Sequence, residues 1–189
     1  MANVELMERS RGIIGRAAWW YSKKTFGEVV EPTQAAALHR GVTVGWGALE
    51  VTAAKAWRRL DPGLRWLAVQ CAAGAIGCSW CMDFGYYEGM QQGIDPRKVR
   101  EVPVWRESDV YDDRERAVLE YAETATGTPI AIPADLVERL HGFLSDQEMV
   151  ELAAWVALEN LRSRFNGGLG LGSQGFADRC EVRPLGANP

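Results

Sequence analysis

Residues 61–84 read DPGLRWLAVQCAAGAIGCSWCMDF, and two helix starts are written into them. Asp61-Pro62 supplies a carboxylate N-cap with proline at the first helical position, which predicts a helix from Leu64 toward Ile76. Gly77 then separates this helix from a second, expected from about Cys78 to Met90 and bounded by Gly93 and Asp95-Pro96. Cys78 and Cys81 therefore share one face of a first helical turn, close enough for a disulfide if that turn adjusts. The unpaired N–H groups and the positive dipole end of a helix start stabilise a thiolate there, which makes the pair chemically interesting.

Outward from this stretch, Gly and Pro delimit further segments of helical length, and no β-branched alternating runs bounded by hairpin turns occur. The reading is an all-α fold. An amphipathic stretch spans about Gly12 to Gly27, and one long helix is expected from Pro32-Thr33 through Ala54-Ala56-Trp57. Val102 to Asp109 reads as loop. Asp112 or Asp113 starts a helix through Thr124, and Pro133 opens a short one ending near His141-Gly142. Ser145-Asp146-Gln147-Glu148 is a capping box ahead of a last long helix to about Asn166, followed by an irregular Gly-rich segment from Gly167 to Gly175. The glycines of that segment lack the strand before and helix after that a nucleotide loop needs.

Length and composition bound the function classes. The 189 residues fit a single domain, 1–189, and 47% hydrophobic with 24% charged residues is the profile of a globular chain with a sizeable core. A net charge of −4 with dispersed basic residues gives no nucleic-acid footprint. No stretch approaches a membrane span, and Met1 to Arg9 lacks the apolar centre of a secretory signal, so a cytoplasmic protein is expected. Four cysteines are too few for a disulfide scaffold and fit a transient pair in a reducing compartment.

By spacing alone the cysteine pair has three readings. It is a redox dithiol, a pair of buried structural thiols, or half of a metal site. Zinc needs four ligands, whereas Cys71 and Cys180 stand apart and only His39 and His141 are available. No cofactor is implied. Cys71, inside an apolar run, reads as a buried small hydrophobe. Eight tryptophans, with Trp19-Trp20 adjacent, suggest a subunit interface and hence a homo-oligomer.

A shift of 85 residues lays Asp61, Leu64 to Val69, Ala72 and Ile76 over Asp146, Met149 to Ala154, Ala157 and Leu161, a weak internal duplication of a capped apolar helix. The second copy carries Glu159, Asn160 and Ser163 on the stripe formed by Met149, Leu152, Ala153 and Val156. A carboxylate on such a stripe needs a partner, and its pKa rises with burial. Glu159 is therefore either an acid–base group near the thiols or a structural partner of Arg162 or Arg164.

The segments 60–65 and 77–84, with Glu120-Tyr121-Ala122, Leu144-Ser145 and Glu159-Asn160-Leu161-Arg162-Ser163-Arg164-Phe165-Asn166, resemble the carboxymuconolactone decarboxylase/AhpD-like alkylhydroperoxidase family. The resemblance covers a core of about 32–176 and implies an all-α chain assembling as a dimer, trimer or hexamer. In its peroxidase branch Cys81 would attack a hydroperoxide to give a sulfenic acid and Cys78 would resolve it. A dithiol reductant, a lipoylated or thioredoxin-like protein, would restore both. That branch carries a Glu/His proton relay at the places held here by Trp66, Trp80 and Gly85; Asp83, Tyr86, Tyr87, Glu88 and Glu159 are the candidates to stand in. Loss of the relay without replacement is worth about 10²–10⁴ in rate. The alternatives are a non-thiol enzyme acting on a small organic acid or lactone, as in the decarboxylase branch, and an oligomeric binding protein with a degenerate site.

Overall fold

The stretch opening at Asp61 folds as α4 (Pro62–Ile76), and its composition explains its position. Apolar and small residues surround it on all sides, and Leu64, Trp66, Leu67, Ala68, Cys71, Ala72 and Ala73 are all buried. A helix apolar around its whole circumference has to be enclosed by others. Asp61 caps it as expected, accepting from the Gly63 and Leu64 N–H groups. The computed structural model describes residues 2–9 and 12–180. Within them, α4 is preceded by α1 (Gly12–Phe26), α2 (Glu31–Ala36) and α3 (Arg40–Ala56), and followed by α5 (Ser79–Gln91) and α6 (Pro96–Glu101). Then come α7 (Asp113–Thr126), α8 (Ala134–His141) and α9 (Asp146–Gly168), with 3₁₀ turns at Val102–Val104 and Ala177–Arg179. No strand occurs among the described residues.

α4 packs chiefly on α7, α9 and α5. From α7 come Ala117, Val118, Leu119 and Ala122, and from α9 Leu152 and Val156, all buried in the same cluster as Leu67 and Ala68. Both α7 and α9 open with complete capping boxes, Asp112 with Glu115 and Ser145 with Glu148. Such reciprocal caps satisfy two backbone donors that a helix start otherwise leaves without partners.

Three expectations need correction. The single helix expected from Pro32 to Trp57 is two, because the chain turns at 37–39 and restarts with the His39 imidazole accepting from the Val42 N–H at 3.2 Å. Asp95-Pro96, read only as a stop for the preceding helix, opens α6 with Asp95 as its cap. The segment read as loop from Val102 begins with a 3₁₀ turn. No helix among the described residues is long and apolar enough to cross a membrane.

Candidate functional site

Gly77 lets the chain reverse between α4 and α5. It adopts φ 79°, a left-handed conformation that costs little without a Cβ, and the N–H groups of Gly77 and Cys78 both donate to the Ala73 carbonyl. Cys78 is thereby placed one residue outside α5, as its N-cap, and its Sγ accepts from the Cys81 N–H at 3.2 Å. The two cysteines form a disulfide with their Cα atoms 5.3 Å apart. Both are buried. Cys71, by contrast, donates from Sγ to the Leu119 carbonyl, and burial pushes its thiol up to about 12, which leaves it unreactive.

One wall of the disulfide is the end of α9. Its inward stripe runs Leu152, Val156, Glu159, Ser163 and Asn166, apolar for two positions and polar for three, all of them buried. Asn166 Nδ2 donates to Cys81 Sγ at 3.4 Å and lies 4.0 Å from Cys78 Sγ, while Ser163 Oγ stands 3.3 Å from Cys81 Sγ. Ser163 Oγ is also 2.7 Å from Glu159 Oε1. Burial pushes the Glu159 carboxyl up to about 7, against the opposing pull of the Arg162 guanidinium. Arg162 in turn holds Glu159 at 3.4 Å and makes a two-pronged pair with Glu50 of α3. Both readings of Glu159 thus meet in one residue, which is ion-paired and also linked to a sulfur. Asn160 lies to the side, donating to Thr126 Oγ1 at 2.9 Å and to the Val156 carbonyl at 3.0 Å.

A second side, between α4 and α5, holds Trp66 and Gly85, two of the three places at which the resemblance expects a relay. Trp66 Nε1 donates to the Gly85 carbonyl at 2.9 Å, and Gln70 Nε2 donates to the Cys81 carbonyl at 3.3 Å. A Cβ added at Gly85 would fall 1.5 Å from Gln70 Nε2, and one at Gly89 would fall 2.5 Å from the Trp66 ring. These glycines leave the room that Gln70 and Trp66 fill, so no side chain enters at 85 or 89 without moving them.

The third side is a roof made by both ends of the described chain. Trp80 stacks on Phe84 at 4.9 Å, and Phe84 meets Phe26 of α1 at 4.9 Å and Phe176 at 5.2 Å. Asp83 is an anchor, accepting from the backbone N–H groups of Gln174, Phe176 and Ala177 at 2.8–3.1 Å. Gln174 Oε1 accepts both the Trp80 indole N–H and the Glu31 N–H, each at 2.8 Å. Of the other stand-ins, Tyr87 packs against Phe176, and Glu88 lies near Arg162, Arg65 and Glu50 with its carboxyl raised by burial. Gln70, Asn166 and Gln174 are the polar contacts that sequence reading did not assign to the site. For Asn166 the signal was present, since 159, 163 and 166 continue the spacing of 152 and 156. A cleft of about 640 Å³ bearing Arg58, Arg59, Arg65 and Arg114 lies at the other end of α4, beside Asp61.

The family model for the carboxymuconolactone decarboxylase family matches residues 43–124. Over 181 residues the chain is 30% identical to the uncharacterized protein YnjA of Escherichia coli (strain K12), covering 90% of this chain and 94% of that one. Among solved structures, a protein of unknown function from Agrobacterium tumefaciens, assigned provisionally to antioxidant defence as AhpD, superposes with TM-score 0.69 at 26% identity, covering 74% of this chain and 94% of its own. An uncharacterized peroxidase-related protein from Ralstonia eutropha JMP134 with an alkylhydroperoxidase AhpD core shares the fold at TM-score 0.79 and 19% identity, covering 93% and 94% of the two chains. The family match over 43–124, together with 30% identity along nearly the whole of YnjA, places the chain in the carboxymuconolactone decarboxylase family.

Proposed function

We propose that the chain is a thiol–disulfide oxidoreductase of the AhpD-like branch that reduces an organic hydroperoxide with Cys81 as the attacking thiol and Cys78 as the resolving one. The observation that carries this reading is the disulfide itself, set at a helix start with two side-chain donors from α9 aimed at Cys81. Donors to sulfur favour the thiolate over the thiol, and the cap position does the same for Cys78 through backbone N–H.

The reaction balances as follows. The Cys81 thiolate attacks one peroxide oxygen, so an S–O bond forms, the O–O bond breaks and the alkoxide leaves as alcohol after taking up a proton. Cys78 then attacks the Cys81 sulfenic sulfur, forming the S–S bond and releasing hydroxide, which leaves as water with the Cys78 proton. Two electrons pass from the dithiol to the peroxide. An external dithiol, of the lipoylated or thioredoxin-like class, returns them by exchange.

The test is consumption of cumene hydroperoxide with dithiothreitol as reductant. Wild-type protein is expected to turn over, Cys81→Ser to lose all activity, and Cys78→Ser to keep only residual turnover through direct reduction of the Cys81 sulfenic acid by dithiothreitol, with that acid trappable after one equivalent when reductant is withheld. Turnover that survives in Cys81→Ser overturns the thiol reading in favour of a non-thiol enzyme. Folded protein inert in every form favours a binding role. A homo-oligomer built through α1 belongs to the same proposal, supported by Ile13 at 86%, Trp20 at 62% and Tyr21 at 59% exposure on that helix. Light scattering showing a monomer at micromolar concentration would remove it.

A further inference from the structure

We propose that Ser163, backed by Glu159, carries the proton traffic of Cys81, replacing from α9 the relay whose places the family resemblance puts at Trp66, Trp80 and Gly85. The inference rests on the thiol reading above and adds to it the route by which protons leave and return. Ser163 has one hydroxyl proton and two neighbours for it, Glu159 Oε1 at 2.7 Å and Cys81 Sγ at 3.3 Å. With Glu159 ionised, Ser163 donates to the carboxylate, and its oxygen can accept from a Cys81 S–H. With Glu159 protonated, the carboxyl donates to Ser163 Oγ and the hydroxyl proton turns to the sulfur. The two states differ by one proton moved along Cys81, Ser163 and Glu159.

In the proposed step the Cys81 thiol gives its proton to Ser163 while Ser163 gives its own to Glu159, leaving a thiolate. After the O–O bond breaks, the same proton returns through Ser163 to the departing alkoxide. No proton is gained or lost, and the two electrons move only from sulfur to oxygen. A second feature marks the wall as built for the dithiol as well. Asn166 Oδ1 is buried with no hydrogen-bond donor among the described residues, and reduction of the disulfide creates S–H donors beside that amide. The charged groups facing Glu159 are arranged to hold it near neutrality. Arg162 on its own helix favours the ionised form, Glu50 of α3 opposes it, and burial opposes it most. Glu88 of α5 shares Arg162 and Glu50 as charged neighbours, together with Arg65 of α4. Ser163 touches the reacting sulfur and is the catalytic residue here; Glu159 is a positioning residue acting through it.

The experiment is single-turnover oxidation of the reduced protein by cumene hydroperoxide between pH 5.5 and 9, with disulfide formation read by acid quench and mass spectrometry. In wild type the rate is expected to rise along a limb near pH 7. In Glu159→Gln, an isostere that keeps the volume, that limb should vanish and the rate at pH 7 fall about 10²-fold, recovering toward wild type at pH 9 where the thiolate forms unaided. Ser163→Ala should behave alike, while Ser163→Thr, which restores a hydroxyl, should return most of the rate. A wild-type rate and profile in Glu159→Gln overturns the relay and leaves the thiol reading standing. Equal losses in Ser163→Ala and Ser163→Thr with the pH 7 limb intact overturn it as a merely structural effect. If Cys81→Ser retains full activity, both readings fall together.

Discussion

The two walls that face the disulfide are made of the same kind of material and used in opposite ways. On the α4–α5 side, Trp66 and Gln70 point at glycines, the contacts are tight, and the polar atoms bond to backbone carbonyls of α5. On the α9 side, Ser163 and Asn166 direct polar atoms at sulfur, and Glu159 stands behind Ser163. The first wall holds the cysteine helix in place, and the second aims donors at its sulfur. In the relay proposed above, the thiol pair takes its acid–base chemistry from α9 while the α4–α5 side is packing.

The comparison breaks most violently if the inert wall is refitted. Trp66→Glu with Gly85→His sets an acid in an apolar site and drives an imidazole into Gln70, so a loss of about 3 kcal/mol or more in urea denaturation is expected. Adding Gln70→Ala should return part of that stability by clearing the colliding group. A double variant as stable as wild type would show that the wall is not close-packed.

The polar wall leaves a signature in stability against pH. Folding raises the Glu159 carboxyl from its ordinary 4.5 to about 7, so between those values the folded chain holds a proton that the unfolded chain has released. Stability therefore declines as pH rises through this window, by up to about 3 kcal/mol once both forms are ionised. In Glu159→Gln the decline should flatten, and thermal melts at pH 5 and pH 8 would detect it. Parallel curves for variant and wild type would place the Glu159 carboxyl at its ordinary value.

A smaller effect is expected at the roof. Asp83→Ala leaves the Gln174, Phe176 and Ala177 N–H groups without their acceptor, for about 2 kcal/mol, and hydrogen exchange at those three amides should accelerate while α4 stays protected. Smallest is Asp61→Ala, remote from both walls, which should cost about 1 kcal/mol through loss of the α4 cap and leave thiol chemistry untouched.

Local signals account for what the sequence makes legible. Asp61-Pro62, the Asp112 and Ser145 boxes and Gly77 all act within four residues, and each marks a real boundary. The break between α2 and α3 escapes because its cap is an imidazole, His39, with neither Gly nor Pro among residues 37–39 to announce it. Asp95-Pro96 shows the converse, a start signal equal to Asp61-Pro62 that also closes the helix before it. At the site, Glu159 stands out as a carboxylate on an apolar stripe. Its route to Cys81 runs through Ser163, 82 residues away in sequence, and only packing brings the two together. The fate of the missing relay hinges on Gln70 occupying the space beside Gly85, a matter of volume that no spacing rule encodes.

Gln174 joins the Trp80 indole to the Glu31 amide, so segments 143 positions apart meet on the lid of a site whose chemistry lies in α5 and α9. The lid therefore joins Trp80 and Phe84, inside the region 43–124 that the family model matches, to Phe26, Glu31, Gln174 and Phe176 outside it. Exchange of residues 26–31 and 171–177 between relatives should alter which molecules reach the disulfide while the barrier to its reduction stays that of the parent core.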